Sequence, residues 1–455
     1  MAPIRRSAAA LAAALLAATP AGAGVSAEEA ARLGAELTPL GAERAGNAEG
    51  TIPAWDGGLA SPPADYEPGT WHPDPFAEDE VRLRITAANA AEHAERLSDG
   101  HRALLAAHPE TWEMRVYPTH RSAAFPAWVY EAVVENATRA EPVLAGRGGV
   151  RESRIGSPFP IPRSGVEVVW NHNLRWRGVR CQRAQGTAAV TRRGNYRVIL
   201  QLQEIGFPYG ERTPSEFGLK YPNMMLAVKT KTVAPELEAG NGVLVLEPID
   251  QTRSPRKAWT YSRSLRRVLR LPYFAYDFPA PDSDNLRTID DAYLFNGSPD
   301  RFEWALLGKR ELYVPYNAYR LHSGEVGAGD ILRTGHIDPA LARYELHRVW
   351  VVEGKLKPGQ THVYSRRVFY VDEDSWRIVV SESYGANGRL WRLAEGHLVS
   401  HYEVPVPLNT LEAFYDLSER RYLVTGLDND RSPPRFFDGA DPREFSPNAL
   451  LYYIR

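Results

Sequence analysis

From about Val166 onward the chain alternates apolar and polar residues with a period of two, and this constrains its fold more than any other feature. In Tyr196 to Glu204, Val198, Leu200 and Leu202 share one face while Arg197, Ile199, Gln201 and Gln203 share the other. Successive side chains on extended backbone point to opposite sides, so such runs read as strands. Met224 to Thr232 repeats the pattern, with Met224, Leu226 and Val228 opposite Lys229 and Lys231. Further strands are predicted at Gly242 to Glu247, Lys257 to Tyr261, Arg267 to Leu271, Phe302 to Leu307, Tyr344 to Val352 and His362 to Val371. Asp372-Glu373-Asp374 and Ala386-Asn387-Gly388 supply hairpin turns between them. Strands joined by short turns are antiparallel, so the expected class is α+β, mainly β: one large meandering sheet, strongly curved or barrel-like.

Before Val166 the text is mixed. Short helices are predicted at Ala27 to Leu37, Ala87 to Leu97, His101 to Ala107 and Ala127 to Ala140, the last opened by Pro126 and carrying Val129, Val133 and Ala137 at spacing four. These are too modest to form a bundle core. The expected organisation is a signal peptide over residues 1–27, an N-terminal wrap over 28–165 packed on the sheet, and a curved half-barrel over 166–455, with 28–455 one structural unit.

Arg5 and Arg6 followed by the apolar run Ser7 to Ala18 read as an export signal. Two small-residue cleavage sites follow, Ala21-Gly22-Ala23 and Val25-Ser26-Ala27; acidic residues begin directly after the second, which places the expected cut after Ala27. No later run has 18 uninterrupted apolar residues, so a soluble periplasmic protein, not integral to the membrane, is expected. The single cysteine, Cys181, excludes an internal disulfide and multi-Cys metal or redox centres, and reads as structural. A net charge of -2 gives no field for gripping nucleic acid.

GxSxG, HExxH and phosphate-loop patterns are absent. His397, His401 and Glu403 form the best metal candidate, but flanking Pro405 and Pro407 indicate a strand, on which a four-residue step spans ~13 Å, too far for one ion. His172 in Trp170-Asn171-His172-Asn173 reads as a structural histidine at a loop-to-strand junction. Asp290-Asp291 reads as a turn or helix start rather than a catalytic pair. Arg263, Arg266, Arg267 and Arg270 around Trp259 and Tyr261 form either a basic mouth for an anionic head group or a solvated outer face. Trp304, Trp350, Trp376 and Trp391 suggest a wide aromatic inner face.

The opening Leu33 to Asn47, Thr51-Ile52-Pro53-Ala54-Trp55 and Gly57-Gly58 resembles a proteobacterial exported family known as domain of unknown function thirteen-twenty-nine. The likeness continues through Val116 to Arg121, Pro158 to Pro162, Trp170-Asn171-His172, Trp259-Thr260-Tyr261, Arg266-Arg267-Val268, Trp304 with Gly308 to Glu311, Tyr313 to Asn317, and Tyr370 to Trp376. That family is similar to the LolA/LolB lipoprotein-sorting proteins, whose unclosed antiparallel barrel is covered by helices around an apolar cavity. The resemblance implies a periplasmic carrier or chaperone for lipids or lipid-modified proteins, possible partners being an RND-type envelope transporter or an outer-membrane protein. It brings no catalytic residues.

The expected function is therefore non-enzymatic binding of a lipid, acyl chain or other amphiphile in a groove. Trp259, Tyr261, Arg266, Arg267, Trp304, Trp170 and His172 are the expected ligand contacts, and no metal or cofactor is expected. The alternatives are an exported lipid- or sterol-modifying enzyme centred on His172 or His347, and a structural adaptor whose interior is filled.

Overall fold

In the computed structural model, which describes residues 24–271 and 276–454, the alternating segments assemble into one sixteen-stranded sheet. Most of the predicted signal segment, residues 1–23, lies outside the described residues. In chain order the strands are β1 (Leu83–Ile85), β2 (Met114–Val116), β3 (Glu141–Pro142), β4 (Val150–Arg151), β5 (Arg180–Val190), β6 (Val198–Gly206), β7 (Met224–Ala234), β8 (Gly242–Pro248) and β9 (Lys257–Ser262). They continue as β10 (Arg267–Leu271), β11 (Phe302–Pro315), β12 (Tyr344–Leu356), β13 (Arg366–Asp372), β14 (Ile378–Tyr384), β15 (Leu390–His401), β16 (Val406–Asp416), β17 (Arg421–Thr425) and β18 (Arg435–Phe437). The helices are α1 (Ala27–Ala30), α2 (Asp99–Ala107), α3 (Ala127–Arg139), α4 (Gly165–Leu174), α5 (Glu216–Lys220), α6 (Tyr319–His322), α7 (Ala328–Ile331) and α8 (Pro447–Ile454).

Two meanders make the sheet. Strands β5 to β10 lie side by side in sequence order, and so do β11 to β17, all antiparallel; β3 and β4 form a separate pair. The meanders join where β17 pairs with β5, Tyr422 opposite Val190 and Thr425 opposite Thr187. Just beyond, the Gly186 N–H donates to the Leu427 carbonyl at 2.8 Å, and a Cβ on Gly186 would lie 2.3 Å from that oxygen. Among the described strands β10 pairs only with β9, and β11 only with β12, so the sheet stays open.

The second meander is buried on both sides, which is why β16 carries eleven consecutive buried residues. Leu104 and Leu105 of α2, Trp112, Tyr319 of α6 and Ile331 of α7 pack on one face. On the other, Val129 and Val133 of α3 and Val168 and Val169 of α4 meet Phe369, Trp376 and Phe414. The turn between β13 and β14 anchors the N-terminal wrap: the Trp376 indole N–H donates to Leu40 O at 2.9 Å, and Arg121 grips the Asp374 carboxylate at 2.7 and 2.8 Å.

One region departs from the sequence expectation. The stretch read as the start of the sheet, including the supposed loop-to-strand junction at His172, is the helix α4. Every residue from Val168 to Leu174 is buried, so no polar face exists to create a helical period. Smaller departures occur at Ala27 to Leu37, where only Ala27–Ala30 is α-helical, and at Ala87 to Leu97, where Ala90–Arg96 is a 3-10 helix.

Helix α4 approaches β11 through Gly165, whose added Cβ would lie 2.8 Å from the Ala305 carbonyl carbon and 2.9 Å from that of Trp304. Gly165→Ala is expected to destabilise the protein by about 1–3 kcal/mol through overpacking, although alanine is the better helix former. Gly439→Ala, in open space, should be near neutral. Urea denaturation of the two variants checks this.

Candidate functional site

The sequence-predicted contacts fall into three separate places. Trp259 and Tyr261 project from β9 into an apolar cluster with Leu244, Phe445, Leu450 and Ile454, so the C-terminal helix α8 covers them. Arg266 and Arg267 are exposed at the β9–β10 turn, and Arg263 donates to the backbone carbonyls of Glu236 and Ala239. Trp304 stacks on Phe369 at 5.3 Å and donates its indole N–H to Pro299 O. Trp350 and Trp376 stack parallel at 6.2 Å in the same region, whereas Trp391 bonds Asp416. Trp170 is buried on α4 and donates to Gly146 O at 2.7 Å.

His172 is fully enclosed. Its Nδ1 accepts the Ile378 N–H at 3.0 Å and its Nε2 donates to Phe295 O at 3.1 Å. Burial, aided by Arg175, Arg377 and Arg177, pushes its pKa well down, so it is a neutral strut between α4 and the sheet. Asp290 and Asp291 begin a short 3-10 helix capped by Thr288, and both carboxylates turn onto the buried Arg367. His347 stacks on Tyr316 at 3.8 Å and bonds Glu345 at 3.1 Å. Burial pushes the Cys181 thiol up to about 12, which leaves it unreactive.

A different constellation occupies the α4 side of the first meander. The segment after α4 alternates, with Trp176 turned towards Trp128, ring centroids 4.8 Å apart, and Arg175 and Arg177 turned towards Tyr293. Arg183 of β5 joins them, so that three guanidinium carbons lie 5.9, 5.5 and 5.8 Å from one tyrosine ring. Arg377 adds a fourth cation to the group, buried like Arg175 and Arg177, and donates to Pro407 O at 2.7 Å. Tyr293 and Leu294 hold left-handed backbone, with φ of 57° and 66°, a strained choice for such side chains that places the ring beneath the arginines.

The balance of charge here is unusual. Burial and mutual repulsion pull Arg175 well below the ordinary guanidinium range. Burial lowers Arg177 to about 10, and burial with Arg177 lowers Arg377 to about 9. All three values are depressed, yet a value of 9 or 10 still leaves its guanidinium charged at neutral pH. Glu412 is the nearby carboxylate, and burial pushes Asp428, beside Arg183, up to about 8, which weakens it as a counter-charge. Arg175 Nε and Nη2, Arg177 Nε and Arg377 Nη2 are buried N–H donors without an acceptor. Such groups normally find partners, and leaving one unmade costs about 1–3 kcal/mol, more when charged.

Above this cluster lies a pocket of about 210 Å³ between β16, β5 to β8 and the 280–293 segment. Arg183, Tyr293, Asn409 and Glu412 form its polar side, and Val228, Val243, Val245 and Ile289 its apolar side. Gln201 and Gln203 also face it, while Leu202 lies on the far side of β6 and is 39% exposed. A second pocket of about 670 Å³ lies behind Trp176, lined by Trp128, Phe436, Phe437, Val404, Arg212 and Glu403. Sequence reading passed over these arginines, although three of the four fall within the ten residues Leu174 to Arg183.

The open, mainly antiparallel sheet covered by helices defines an α+β half-barrel protein. Residues 84–451 match the family model described as "Protein of unknown function (DUF1329)", and the chain belongs to that family. Uncharacterized protein PA3922 of Pseudomonas aeruginosa is 41% identical over 441 residues, covering 96% of this chain and 95% of that one. Three solved structures are also similar. They are a proposed outer membrane lipoprotein-sorting protein domain from Vibrio parahaemolyticus (TM-score 0.43, 14% identity, 63% of this chain and 98% of that one), a DUF1329 family protein from Desulfovibrio piger (0.41, 13%, 60% and 92%), and a LolA superfamily protein from Nitrosomonas europaea (0.37, 11%, 63% and 100%). Among the described residues no helix is long and apolar enough to cross a membrane.

If the arginines serve a ligand rather than the fold, removing one should not harm the free protein. Arg175→Met is expected to leave the ligand-free protein at least as stable as wild type, because it relieves like-charge repulsion and buries an apolar chain instead. A loss above about 2 kcal/mol in urea unfolding would make the guanidinium a structural element.

Proposed function

We propose that this protein is an exported, non-enzymatic carrier of an amphiphile with an anionic head group. The observation that carries the reading is a half-apolar pocket lined by Arg183 and Tyr293, behind which Arg175 and Arg177, with buried acceptor-less donors, pack around the same tyrosine ring. A phosphate, sulfate or carboxylate group in the pocket would meet Arg183 by charge-assisted hydrogen bonds, and the arginines behind Tyr293 would add to the positive potential there. Val228, Val243, Val245 and Ile289 would cover the adjoining apolar part. The pocket is smaller than the ~300–1,000 Å³ of typical drug-sized ligand sites. It suits the head group and the start of a tail, the remainder leaving through the mouth. Each CH₂ withdrawn from water contributes about 0.8 kcal/mol, so even a short buried stretch adds usefully to the charged contacts. In this reading an RND-type transporter or an outer-membrane protein is the exchange partner, as the lipoprotein-sorting resemblance implies.

Titration with dodecyl phosphate and with uncharged dodecyl maltoside, followed by tryptophan fluorescence, tests the reading. Only the phosphate ester should bind, and Arg175→Met combined with Arg377→Met should weaken it at least about tenfold, through the loss of two positive charges behind the site. Equal binding of both surfactants, or an unchanged affinity in the double variant, would sink the proposal.

The N-terminus bears on export. Val25 is buried against Leu33, Leu37 and Ala137, its N–H donates to Ala137 O at 2.8 Å, and Ser26 caps α1 by a reciprocal bond with Glu29. A cut after Ala27 would remove these contacts, whereas a cut after Ala23 at Ala21-Gly22-Ala23 keeps them. In our reading the signal segment is removed there, and N-terminal sequencing of the exported protein should begin at Gly24; a start at Glu28 would refute it.

A further inference from the structure

Next to the arginine cluster, three histidines separated in sequence converge on one point. His72 comes from the Pro-flanked wrap, His322 ends α6, and His401 ends β15. All three are buried, and one ring nitrogen from each lies within 4.8 Å of the others. His401, which sequence reading set aside because a strand separates it from His397, thus acquires partners from two other elements.

The surrounding hydrogen bonds assign a role to each nitrogen. His72 Nε2 donates to Glu403 Oε2 at 2.9 Å, which turns Nδ1 inward. His322 Nδ1 meets Thr410 Oγ1 at 2.9 Å, which turns Nε2 inward, and the two inward nitrogens are 2.9 Å apart. Carboxylate or hydroxyl groups on the outer nitrogen are how metal-bound imidazoles are ordinarily oriented. A single proton shared between His72 and His322 would account for that pair alone. It leaves His401, completely enclosed, with neither ring nitrogen hydrogen-bonded and Glu403 Oε1 4.0 Å away. Tyr66 stacked on His72 at 5.2 Å, Trp71 edge-on to His322 at 5.0 Å and Phe436 edge-on to His401 at 5.3 Å fix the rings.

The other buried His–carboxylate group provides a contrast. In His347, Asp372 and Asp374, the acids are already engaged: Asp374 by Arg121, and Asp372 by Ser375 and Tyr316. Among the described residues, no cationic side chain engages the inward nitrogens of the three-histidine group, whose one mutual contact is that between His72 and His322.

We propose that His72 Nδ1, His322 Nε2 and a ring nitrogen of His401 bind a divalent transition-metal ion, zinc foremost. Three imidazoles suit zinc, copper or nickel rather than magnesium or calcium. At zinc–nitrogen bonds of about 2.0–2.1 Å, tetrahedral ligands stand about 3.4 Å apart, so the set closes with small side-chain rotations. Glu403 lines the larger aromatic pocket, which offers the ion a way in and leaves a fourth position facing that side.

Chelator-treated wild-type protein titrated with zinc chloride in a calorimeter should take up one equivalent, and cobalt chloride should give the visible absorption of a tetrahedral nitrogen-rich site. His401→Ala and His322→Ala should each lose at least about a hundredfold in affinity. Glu403→Gln, partly exposed and so tolerated by the fold, should lose about 10- to 100-fold. The glutamine variant keeps the test decisive even if a histidine variant does not fold. No uptake by wild type, or uptake unchanged in the folded variants, would overturn the assignment. Surfactant binding at the arginine cluster is measured separately, with dodecyl phosphate and no added metal.

Discussion

The pairing of β17 with β5 is the contact on which the rest of the molecule depends. It fuses two meanders, each of which could form from neighbouring hairpins, into one sheet with a concave side. Only through that seam does Arg183 of β5 come to lie beside Asn409 and Glu412 of β16. The seam also sets the width of the trough that α4 fills at one end, where Trp170 and Leu174 pack on Cys181 and Ile205. Tyr422 and Val190 are 232 positions apart, so closing this contact carries a large chain-entropy cost before it is rewarded, and it should form late in folding.

The same separation explains what could be read from the sequence and what could not. The β13–β14 and β14–β15 hairpins announce themselves through alternation and turn residues, and β10 is found with its exact ends, because partner and turn are local. The seam leaves no local trace. Helix α4 was misread for another reason: enclosed on all sides, it lacks the polar stripe by which helices are recognised. The alternation in β6 was seen, but in it Gln201 and Gln203 face the pocket while Leu202 points away, the reverse of an ordinary apolar core. Arginine is normally an outside residue, so composition argued for seeking basic groups at a rim, whereas Arg175, Arg177 and Arg377 are inside. His72, His322 and His401 meet only in three dimensions.

Two charged interiors coexist in this protein and obey different rules. Around the β13–β14 turn, Arg121, Arg348 and Lys309 are matched against Asp374 and Glu373, and Arg343 against Glu345. Breaking such a buried pair costs about 3–5 kcal/mol because the surviving charge is stranded. These pairs fasten the N-terminal wrap to the sheet. Around Tyr293 the cations outnumber the available carboxylate, and several donors are idle. Stability gains nothing from that arrangement, so its persistence is more naturally tied to what the pocket receives than to how the chain folds.

The free edge at β10 has a consequence of its own. An unpaired strand exposes a ladder of amide and carbonyl groups that can template another chain, a hazard for an open sheet. Here Arg267 and Arg270 stand exposed along that strand, and α8 covers only one flat side of it. Two like edges brought together would juxtapose guanidinium groups in the low-dielectric gap between them, so copies meeting edge to edge repel. Exposed arginines at such a position work against edge-to-edge growth of an open sheet, as charged side chains on edge strands do in general.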